Sequence, residues 1–535
     1  MIYLKKQRLI SGLISISVLA LTPSMAEAAK KQPNIVLVLI DDFGWGDLGS
    51  NLNDFTKDEL NQDFINQINP DYTIQEAYDA ARNSTLNLSR FCNEGVRFTN
   101  AYVTSNVSSP SRAGILTASY PERYGIYLLG EGEMGVPENI KMMPQILKES
   151  GYINGVFGKW HNGNPTGEFL TASPGQHPLD RGFDYFYGFN KSNTLYYNSN
   201  IIFRNREHLA PSPEWLPDAC TNEAVEFIAK NPGKPKLIYL AYNAVHGIIQ
   251  PAPDKYLNRF QSKSKKLNVF SAATLSVDEG VKTVMNKLKE IGEYDNTVLV
   301  FLSDNGAIGN ATSPLPKNGP FSGFKGQDYQ GGFRTPMFIW YGNKIKNGKV
   351  CNQLVSSMDI FPTFMEIAGV NLPKNQPIDG VSLVPLITGK SDKEVRDNLI
   401  SMTQHTLSFD IKEVKDRNYA EASFMVRKGD YSLRYFVENS TFFLNNMKTD
   451  RAEKMNLVDK NPKITEEYKH IFQNWFETVC KDPTIWKTEY WQNIKFWDKN
   501  LPAAPSITER RANQEKNHIG NKGQIKDGIN KVGEE

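Results

Sequence analysis

Four continuously apolar runs along the chain predict the strands of a buried parallel sheet. The first is Asn34–Ile40, which reads NIVLVLI, and comparable runs occupy residues 152–157, 237–241 and 297–302. Unbroken runs rich in β-branched residues are typical of strands that are covered on both faces, as they are in parallel sheets. Stretches with helical spacing lie between them, so the alternation predicts an α/β sandwich with a large, mostly parallel sheet flanked by helices.

The clearest helical stretch is Ser276–Gly292, where apolar residues recur at intervals of three and four. Ser276 is the expected N-cap of this helix, since serine side chains accept hydrogen bonds from the first free amides. Gly292 is the expected end, because glycine commonly follows the last helical turn.

After about Leu386 the segments become shorter and more polar, which indicates a second domain. Residues 418–443 read as antiparallel strands and residues 464–479 as a helix, so this part is predicted to be a smaller α+β domain with an antiparallel sheet. The expected organisation is a signal segment at 1–29, a large N-terminal domain at 30–386, the smaller domain at 387–502, and a polar tail at 503–535 of a composition typical of disorder.

Charge and the N-terminal sequence bear on partners and location. The chain of 535 residues has 61 Lys and Arg against 59 Asp and Glu, so no overall field favours nucleic acid or an anionic membrane surface. Residues 1–29 combine early basic residues, an apolar stretch and small residues, the pattern of a cleaved secretory signal. The apolar stretch is shorter than the roughly 20 residues of a membrane span. We therefore expect an exported protein without stable membrane insertion, periplasmic or alternatively secreted or at the cell surface.

The cysteines add little to this picture. Their wide spacing excludes a zinc-finger-like site, and it fixes no disulfide connectivity, so bridges and buried free thiols both remain open. The four positions are Cys92, Cys220, Cys351 and Cys480.

Polar residues follow each of the four apolar runs. Because open α/β sheets place their sites beyond the carboxyl ends of the strands, these residues are predicted to share one pocket. Three carboxylates and an amide among them offer only oxygen ligands, which suits a hard divalent cation, most simply Ca²⁺. The polar residues that follow the four apolar runs are Asp41, Asp42, Lys159, His161, His246, Asp304 and Asn305.

A further segment carries a specific signature. It reads Ser108-Ser109-Pro110-Ser111-Arg112 and continues as AGILTA to residue 118. This resembles the sequence at which type I sulfatases, members of the alkaline phosphatase superfamily, form their nucleophile by oxidising its first cysteine or serine to formylglycine. With Ser108 at that position, the chain resembles the serine-type carbohydrate sulfatases of bacteria.

The resemblance implies a site, carried over residue by residue. One calcium ion would be bound by Asp41, Asp42, Asp304, Asn305 and the modified Ser108. Arg112 would hold the nucleophile, and Lys159 with Lys325 would neutralise the sulfate oxygens. His246, with Lys325, would protonate the leaving alcohol, and His161 would help to expel sulfate afterwards.

The resemblance extends from about Pro33 to Val479 and implies an alkaline phosphatase-like sandwich with a sulfatase catalytic domain at its N-terminal side. Lys325 and the segment from Gln330 to Pro336 match the family's lysine followed by Gly-Gly-x-Arg-x-Pro, although the family often has glutamate where this chain has Gln330. Residues 51–82 form an acidic insert that is predicted to be helical and is either a solvated surface decoration or a wall beside the pocket.

The implied partners are a sulfated glycan, of glycosaminoglycan, mucin or algal type, and a serine-type maturation enzyme that makes formylglycine. Aromatic and basic residues between 185 and 206 either line a sugar site or pack in the core. Two other functional hypotheses are compatible with the same fold. One is a phosphomonoester or phosphodiester hydrolase of the same superfamily, which usually needs two metals with histidine ligands. The other is an inactive glycan-binding relative. Asn305, where a second metal would favour histidine, argues against the phosphoester reading.

Overall fold

The computed structural model describes residues 31–126, 135–309, 313–345, 348–403, 423–436 and 441–480. The expected signal segment and the expected polar tail lie outside these residues and stay predictions, as does the domain boundary near residue 386. No helix within the described ranges has the length and apolar composition that a membrane span requires.

The strands are numbered in chain order. They are β1 (Asn34–Ile40), β2 (Val96–Phe98), β3 (Ala101–Tyr102), β4 (Ile153–Lys159), β5 (Pro165–Thr166), β6 (Thr171–Ala172), β7 (Tyr185–Phe189), β8 (Phe203–Arg204), β9 (Glu207–His208), β10 (Lys236–Tyr242), β11 (Thr297–Ser303), β12 (Met337–Tyr341), β13 (Lys349–Cys351), β14 (Val355–Ser356), β15 (Asn398–Thr403), β16 (Ser423–Lys428), β17 (Tyr431–Phe436) and β18 (Thr441–Asn446).

A ten-stranded sheet of the order β13-β2-β12-β11-β1-β10-β4-β7-β8-β9 lies at the centre of the described chain. Its middle strands β11, β1, β10, β4 and β7 are parallel, and antiparallel strands flank them on both sides. The four apolar runs correspond to β1, β4, β10 and β11, so the predicted large, mostly parallel sheet is confirmed.

Burial on both faces explains why β1 is apolar throughout. Val36, Val38 and Ile40 belong to one hydrophobic cluster, on one face of the sheet. The alternate residues, including Ile35 and Leu37, belong to a second cluster on the other face. Because successive side chains of a strand point to opposite faces, only a continuous apolar run can fill both layers.

Helices cover the two faces of the sheet. Those in the described chain, apart from short 3-10 turns, are Gln62–Ile68, Ile74–Ser84, Leu86–Glu94, Ser108–Thr117, Met143–Glu149, Leu216–Lys230, Asp254–Leu257, Lys265–Glu290, Gln330–Phe333, Ile360–Ala368, Val384–Ile387 and Pro462–Val479.

The longest helix, Lys265–Glu290, begins well before the predicted start, so the expected N-cap at Ser276 was wrong. Ser264 is the N-cap, and its hydroxyl accepts a hydrogen bond from the Leu267 amide at 3.3 Å. Ser276 lies inside the helix, where its hydroxyl donates to the Ala273 carbonyl at 2.7 Å. The predicted end holds, because the helix stops at Glu290, two residues before Gly292.

The predicted antiparallel sheet of the C-terminal part is confirmed as β15-β16-β17-β18. The helix Pro462–Val479 matches the one expected at 464–479, and its Phe472 packs against Phe424 of β16 with ring centroids 4.3 Å apart. Part of the segment 418–443, in which strands were expected, lies outside the described residues.

The acidic insert is helical, as expected, and its apolar side is part of the core. Phe55, Phe64 and Tyr78 are buried in the same cluster as one face of the central sheet. The insert also contacts the loop that precedes Lys325, since the Asn61 amide donates to the Gly319 carbonyl at 3.3 Å. The insert is thus more than a solvated decoration.

Candidate active site

The carboxyl ends of four parallel strands lie level with one another. Ile40, the last residue of β1, pairs with Tyr242 of β10 and with Ser303 of β11. Ala241 of β10 pairs in turn with Gly158 of β4. Whatever follows these strands must therefore meet at one edge of the sheet, which explains why the polar residues that were predicted to share a pocket come together.

Ser108 enters this cluster from a helix. It is the first residue of Ser108–Thr117, a helix buried along its whole length. The Ser108 Oγ lies 3.3 Å from Asp41 Oδ1 and 3.2 Å from Asn305 Oδ1. The positive end of the helix dipole thus faces the position of the predicted nucleophile, an arrangement that favours negative charge there.

Arg112, one turn later in the same helix, links three of the strand ends. Its Nε and Nη2 donate to Asp304 Oδ2 at 3.0 and 2.9 Å, and its Nη1 donates to the Lys159 carbonyl at 3.1 Å. Nη2 also lies 3.6 Å from Asp41 Oδ2. A planar guanidinium supplies such divergent donors from one side chain, which an ammonium does not.

Two lysines pair with the adjacent aspartates that follow β1. Lys159 Nζ donates to Asp41 Oδ2 at 2.6 Å, and Lys325 Nζ donates to Asp42 Oδ1 at 2.7 Å. All four side chains are buried. Three carboxylates thus face three basic side chains in a buried cluster, so each charge depends on its partners.

These charges set the protonation states of the site. Burial raises the pKa of Asp41, but Lys159 and neighbouring cations outweigh it and lower the pKa to about 2. Burial is likewise outweighed at Asp42, chiefly by Lys325, and the pKa of Asp42 is lowered. Burial lowers the pKa of Lys159, whereas the aspartates outweigh burial and raise the pKa of Lys325. Both aspartates are therefore ionised near neutral pH and available as ligands.

His246 completes the cluster on the more open side. Its Nε2 lies 3.6 Å from Asp42 Oδ2, and 15% of its side chain is exposed. Burial, followed by the charge of Lys325, lowers its pKa to about 4, so the imidazole is neutral near neutral pH before an anion binds. The sequence predicted this histidine in one pocket with the aspartates, but it did not include His246 among the metal ligands.

The donors fit a metal ion. Asp41, Asp42 and His246 each offer a ligand atom within 4.8 Å of the others. Asp42 Oδ2 is buried and accepts no hydrogen bond from the described residues, which is unusual for a carboxylate oxygen. Asn305 belongs to the same group, because its Nδ2 donates to Asp42 Oδ1 at 2.8 Å.

His161 lies two residues beyond Lys159 and is fully buried, with a backbone φ of 52°. Its role in sulfate release stays a prediction.

The aromatic residues between 185 and 197 are largely packed in the core. Phe186, Tyr187 and Tyr196 are buried, and Tyr185 bonds to Glu223. The nearby arginines form ion pairs, Arg204 with Glu223 and Arg206 with Asp180 at 2.6 Å. The packing interpretation of these aromatic residues is therefore the one that the structure supports.

All four cysteines, Cys92, Cys220, Cys351 and Cys480, are free and buried. Burial raises the pKa of Cys92 to about 12, so its thiol stays protonated. The structure therefore favours buried thiols over disulfide bridges.

Two protein-family models together match this chain over the residues that form the site. The model of the sulfatase family matches residues 33–370, and the model described as the C-terminal part of N-sulphoglucosamine sulphohydrolase matches residues 324–480. The two matches cover the central sheet and the smaller antiparallel sheet.

Individual relatives agree with this result. The chain is 35% identical over 508 residues to the uncharacterized sulfatase YdeN of Escherichia coli (strain K12), covering 88% of this chain and 90% of YdeN. It is 30% identical over 390 residues to N-acetylgalactosamine-6-sulfatase of Homo sapiens, covering 68% of this chain and 67% of that protein.

Solved structures share the fold. That of Ps i-CgsB in complex with k-i-k-neocarrahexaose superposes with a TM-score of 0.68 at 25% identity, covering 91% of this chain and 98% of that chain. BT4656 in complex with D-glucosamine-2-N,6-O-disulfate, at 20% identity, has a TM-score of 0.62 and covers 85% and 99%. The resemblance to the sulfatase family is confirmed, whereas the serine-type formylglycine stays a prediction, and the chain belongs to the sulfatase family of sulfuric ester hydrolases.

Proposed function

We propose that this protein hydrolyses sulfate monoesters of carbohydrates, with a formylglycine made from Ser108 as the nucleophile. One observation carries the proposal: the Ser108 hydroxyl lies between Asp41 and Asn305, at 3.3 and 3.2 Å, beside the buried cations of the cluster. A nucleophile in that position faces both a group of anionic ligands and the positive charges that an anionic ester requires.

Ordinary serine chemistry fits the reaction poorly, because a serine sulfate would be a stable ester that needs a second difficult attack. In the proposed mechanism one hydroxyl of the hydrated aldehyde attacks sulfur, and the bond from sulfur to the leaving oxygen breaks. The second hydroxyl then loses its proton, the carbonyl re-forms, and sulfate leaves by cleavage of the carbon–oxygen bond. Unmodified Ser108 is therefore expected to be inactive.

The three basic residues of the site have different proposed roles, which follow from their positions. Arg112 is fixed by Asp304 and the Lys159 carbonyl, so it orients the nucleophile at residue 108 from the same helix. Lys159 and Lys325, now paired with the aspartates, supply the charges that neutralise the sulfate oxygens as they gain charge in the transition state.

Asp41, Asp42, Asp304, Asn305 and the modified residue 108 are the proposed ligands of one calcium ion. Their oxygen donors support this choice, as does Asp42 Oδ2, which accepts no hydrogen bond from the described residues. When bound, such an ion supplies Lewis-acid polarisation of the sulfate oxygens.

His246 is the proposed acid that protonates the leaving oxygen, and His161 the proposed base that helps to expel sulfate. A neutral His246 at 15% exposure can take a proton from solvent once the negative charge of a sulfate ester lies beside it, because an adjacent anion favours the imidazolium. Its position on the open side is where a leaving group would depart.

The proposed substrate class rests on the relatives. One curated relative is named an N-acetylgalactosamine-6-sulfatase, and Ps i-CgsB was solved with k-i-k-neocarrahexaose. The first name contains a sulfated amino sugar and the second an oligosaccharide, and together they support a sulfated glycan as substrate here.

The remaining parts of the proposal concern the maturation of Ser108 and the cellular location of the protein. A serine-type maturation enzyme would supply the oxidation at Ser108. The leader pattern at residues 1–29 supports export, and we propose the periplasm as the site of action, with secretion or the cell surface as the alternative.

The test is sulfate release by protein co-expressed with a serine-type maturation enzyme. The panel contains glycosaminoglycan, mucin-type and algal oligosaccharides together with N-acetylgalactosamine 6-sulfate, and inorganic phosphate is followed in parallel. Ser108→Ala is the inactive variant, and Ser109→Ala, which alters the adjacent hydroxyl, is the matched control. Sulfate release that is lost only in Ser108→Ala supports the proposal.

Two other outcomes point to the competing readings. Phosphate release without sulfate release would indicate a phosphoester hydrolase of the same fold. Glycan binding that is equal in the wild type and in Ser108→Ala, without turnover, would indicate an inactive binding relative.

A further inference from the structure

A buried tyrosine holds the turn that carries His246. Tyr196 OH lies 3.1 Å from the carbonyl oxygen of His246 and 3.3 Å from that of Asn243, so the hydroxyl can donate to either end of the turn. The turn closes on itself through the His246 amide, which donates to the Asn243 carbonyl at 2.9 Å. Burial raises the pKa of Tyr196 well above its usual value, so the hydroxyl remains a donor.

The tyrosine is itself fixed to rigid parts of the fold. Its ring is 1% exposed and stacks on Trp215, with centroids 4.7 Å apart and planes at 21°. Trp215 Nε1 donates to Ser276 Oγ at 3.0 Å, in the middle of the longest helix. The Gln250 Oε1 accepts from the Tyr196 amide at 2.7 Å, which ties the two loops together.

The turn has two anchors of different kinds. On the side of β1, the Val245 amide donates to the Asp41 carbonyl at 2.8 Å, and the Asp41 amide donates to the Ala244 carbonyl at 2.9 Å. On the other side the Tyr196 hydroxyl bonds to the carbonyl of His246 itself. Beyond the turn, Ile248 is 85% exposed and gives little support. Tyr196 is thus the side chain placed to fix the distance between His246 and Asp42.

We propose that Tyr196 is a positioning residue for His246 in the protonation of the leaving oxygen. The inference rests on the proposed function, which gives His246 that role. As the bond from sulfur to the alcohol oxygen breaks, the oxygen keeps the electron pair and takes the proton from the imidazolium, which regains a proton from solvent. A small displacement of the His246 end of the turn would weaken this step most, since Ser108 and Arg112 are held by the helix Ser108–Thr117.

The leaving group distinguishes this role from a general structural one. A sugar alkoxide is a poor leaving group and depends on protonation, whereas a nitrophenolate leaves without it. A variant that misplaces the acid should therefore lose activity on a sugar sulfate and keep it on an aryl sulfate. A variant that damages the fold should lose both.

The chain provides a matched control in the next residue. Tyr197 OH donates to the Pro251 carbonyl at 3.1 Å in the same loop, and the Tyr197 amide also donates to Gln250 Oε1, at 3.1 Å. Tyr196→Phe and Tyr197→Phe each remove one hydroxyl that bonds to a loop carbonyl. Only the first of these carbonyls belongs to the turn of His246.

The experiment measures kcat/KM of matured protein on para-nitrophenyl sulfate and on the sugar sulfate of the panel that the wild type hydrolyses fastest. Since general acid catalysis contributes about 100- to 10,000-fold, Tyr196→Phe is expected to lower the sugar sulfate value by about 10- to 100-fold and the aryl sulfate value by less than about 3-fold. Tyr197→Phe should change neither. In a His246→Ala background, Tyr196→Phe should have no further effect on the sugar sulfate.

An equal loss on both esters, or an additive loss in the His246→Ala background, would overturn the inference while leaving the proposed function intact. If Tyr196→Phe does not fold, Gln250→Ala, which loosens the same segment and keeps the hydroxyl, is measured with the same two esters and the same criteria. A matured wild type that hydrolyses neither ester would overturn the proposed function and the inference with it.

Discussion

At the residue scale, the site is a balance of buried charges in which each member fixes others. Arg112 shows this most clearly, because one guanidinium contacts Asp304, Asp41 and the Lys159 carbonyl. Removal of one member of such a set leaves a buried charge without its partner. Substitutions here are therefore expected to change both activity and stability.

Arg112→Lys keeps the charge but loses the divergent donors. Because a lysine lacks the planar fork that bonds Asp304 through Nε and Nη2 and the Lys159 carbonyl through Nη1, we expect kcat to fall by about 100-fold or more. The measurement is sulfate release by matured protein. Arg206→Lys, in an exposed pair with Asp180, is the control and should change kcat little. Equal activity of Arg112→Lys and the wild type would contradict this account of Arg112.

The metal proposal predicts a calcium effect on thermal unfolding. A ligand that binds only the folded state at 100 times its Kd stabilises it by about 2.7 kcal/mol, so calcium should raise the Tm of the chelator-treated wild type. Asp42→Asn should lose most of this increase, since it removes one charge from the proposed ligands. Asp278→Asn, at a buried carboxyl that bonds the Leu88 amide elsewhere, should keep it. A Tm that calcium leaves unchanged in the wild type would count against the site.

Most of the site residues could be predicted from the sequence, because their signals are local. Asp41, Asp42 and Asp304 directly follow buried strands, and Ser108 and Arg112 lie in one short motif. The contact between Tyr196 and the turn of His246 could not be predicted, since it joins segments 50 residues apart and leaves no periodic signal.

At the element scale, the strands were more predictable than the helix boundaries. Strand β1 is apolar because both of its faces are buried, and the continuous apolar run that this burial requires is visible in the sequence. The helix Lys265–Glu290 began 11 residues before the predicted Ser276, because a serine inside a helix can satisfy its hydroxyl on a preceding carbonyl and so does not mark a start.

The corrected boundary gives a stability prediction. Ser264→Ala removes the side-chain acceptor of the Leu267 amide, and loss of such a cap costs about 1 kcal/mol of unfolding free energy. Urea unfolding should therefore show a lower midpoint for Ser264→Ala, whereas Ser262→Thr, which keeps a hydroxyl two residues earlier, should retain the wild-type midpoint. An unchanged midpoint in Ser264→Ala would place the effective start of the helix elsewhere.

At the scale of the whole molecule, buried ionisable groups outside the site set how stability varies with pH. Glu122 is fully buried, and burial, with a smaller effect from Asp379, raises its pKa to about 8 from the ordinary 4.5. The folded protein thus holds this proton more tightly than the unfolded chain does. The stabilisation of the folded state by this proton is complete below the pKa of Glu122 in the unfolded chain, and it is lost as the pH rises towards 8.

Glu122→Gln removes this titration while keeping a side chain of the same shape. The unfolding free energy of the wild type is expected to fall between pH 5 and pH 8 by up to about 1.4 kcal/mol per pH unit from this group, and the variant should lack that share of the fall. Urea unfolding at the two pH values measures the difference between the proteins, in which the contributions of other groups cancel. Parallel pH profiles for both proteins would contradict the assignment.

The central claim is that a formylglycine at position 108 performs sulfate ester hydrolysis. The most direct measurement compares kcat with the converted fraction in preparations made with different amounts of maturation enzyme. Mass spectrometry of the peptide that ends at Arg112 gives this fraction, because the aldehyde is two hydrogens lighter than serine. The account predicts that sulfate release rises in proportion to conversion and vanishes without it. Equal release by unconverted protein, or none from fully converted protein on any sulfated glycan, would contradict it.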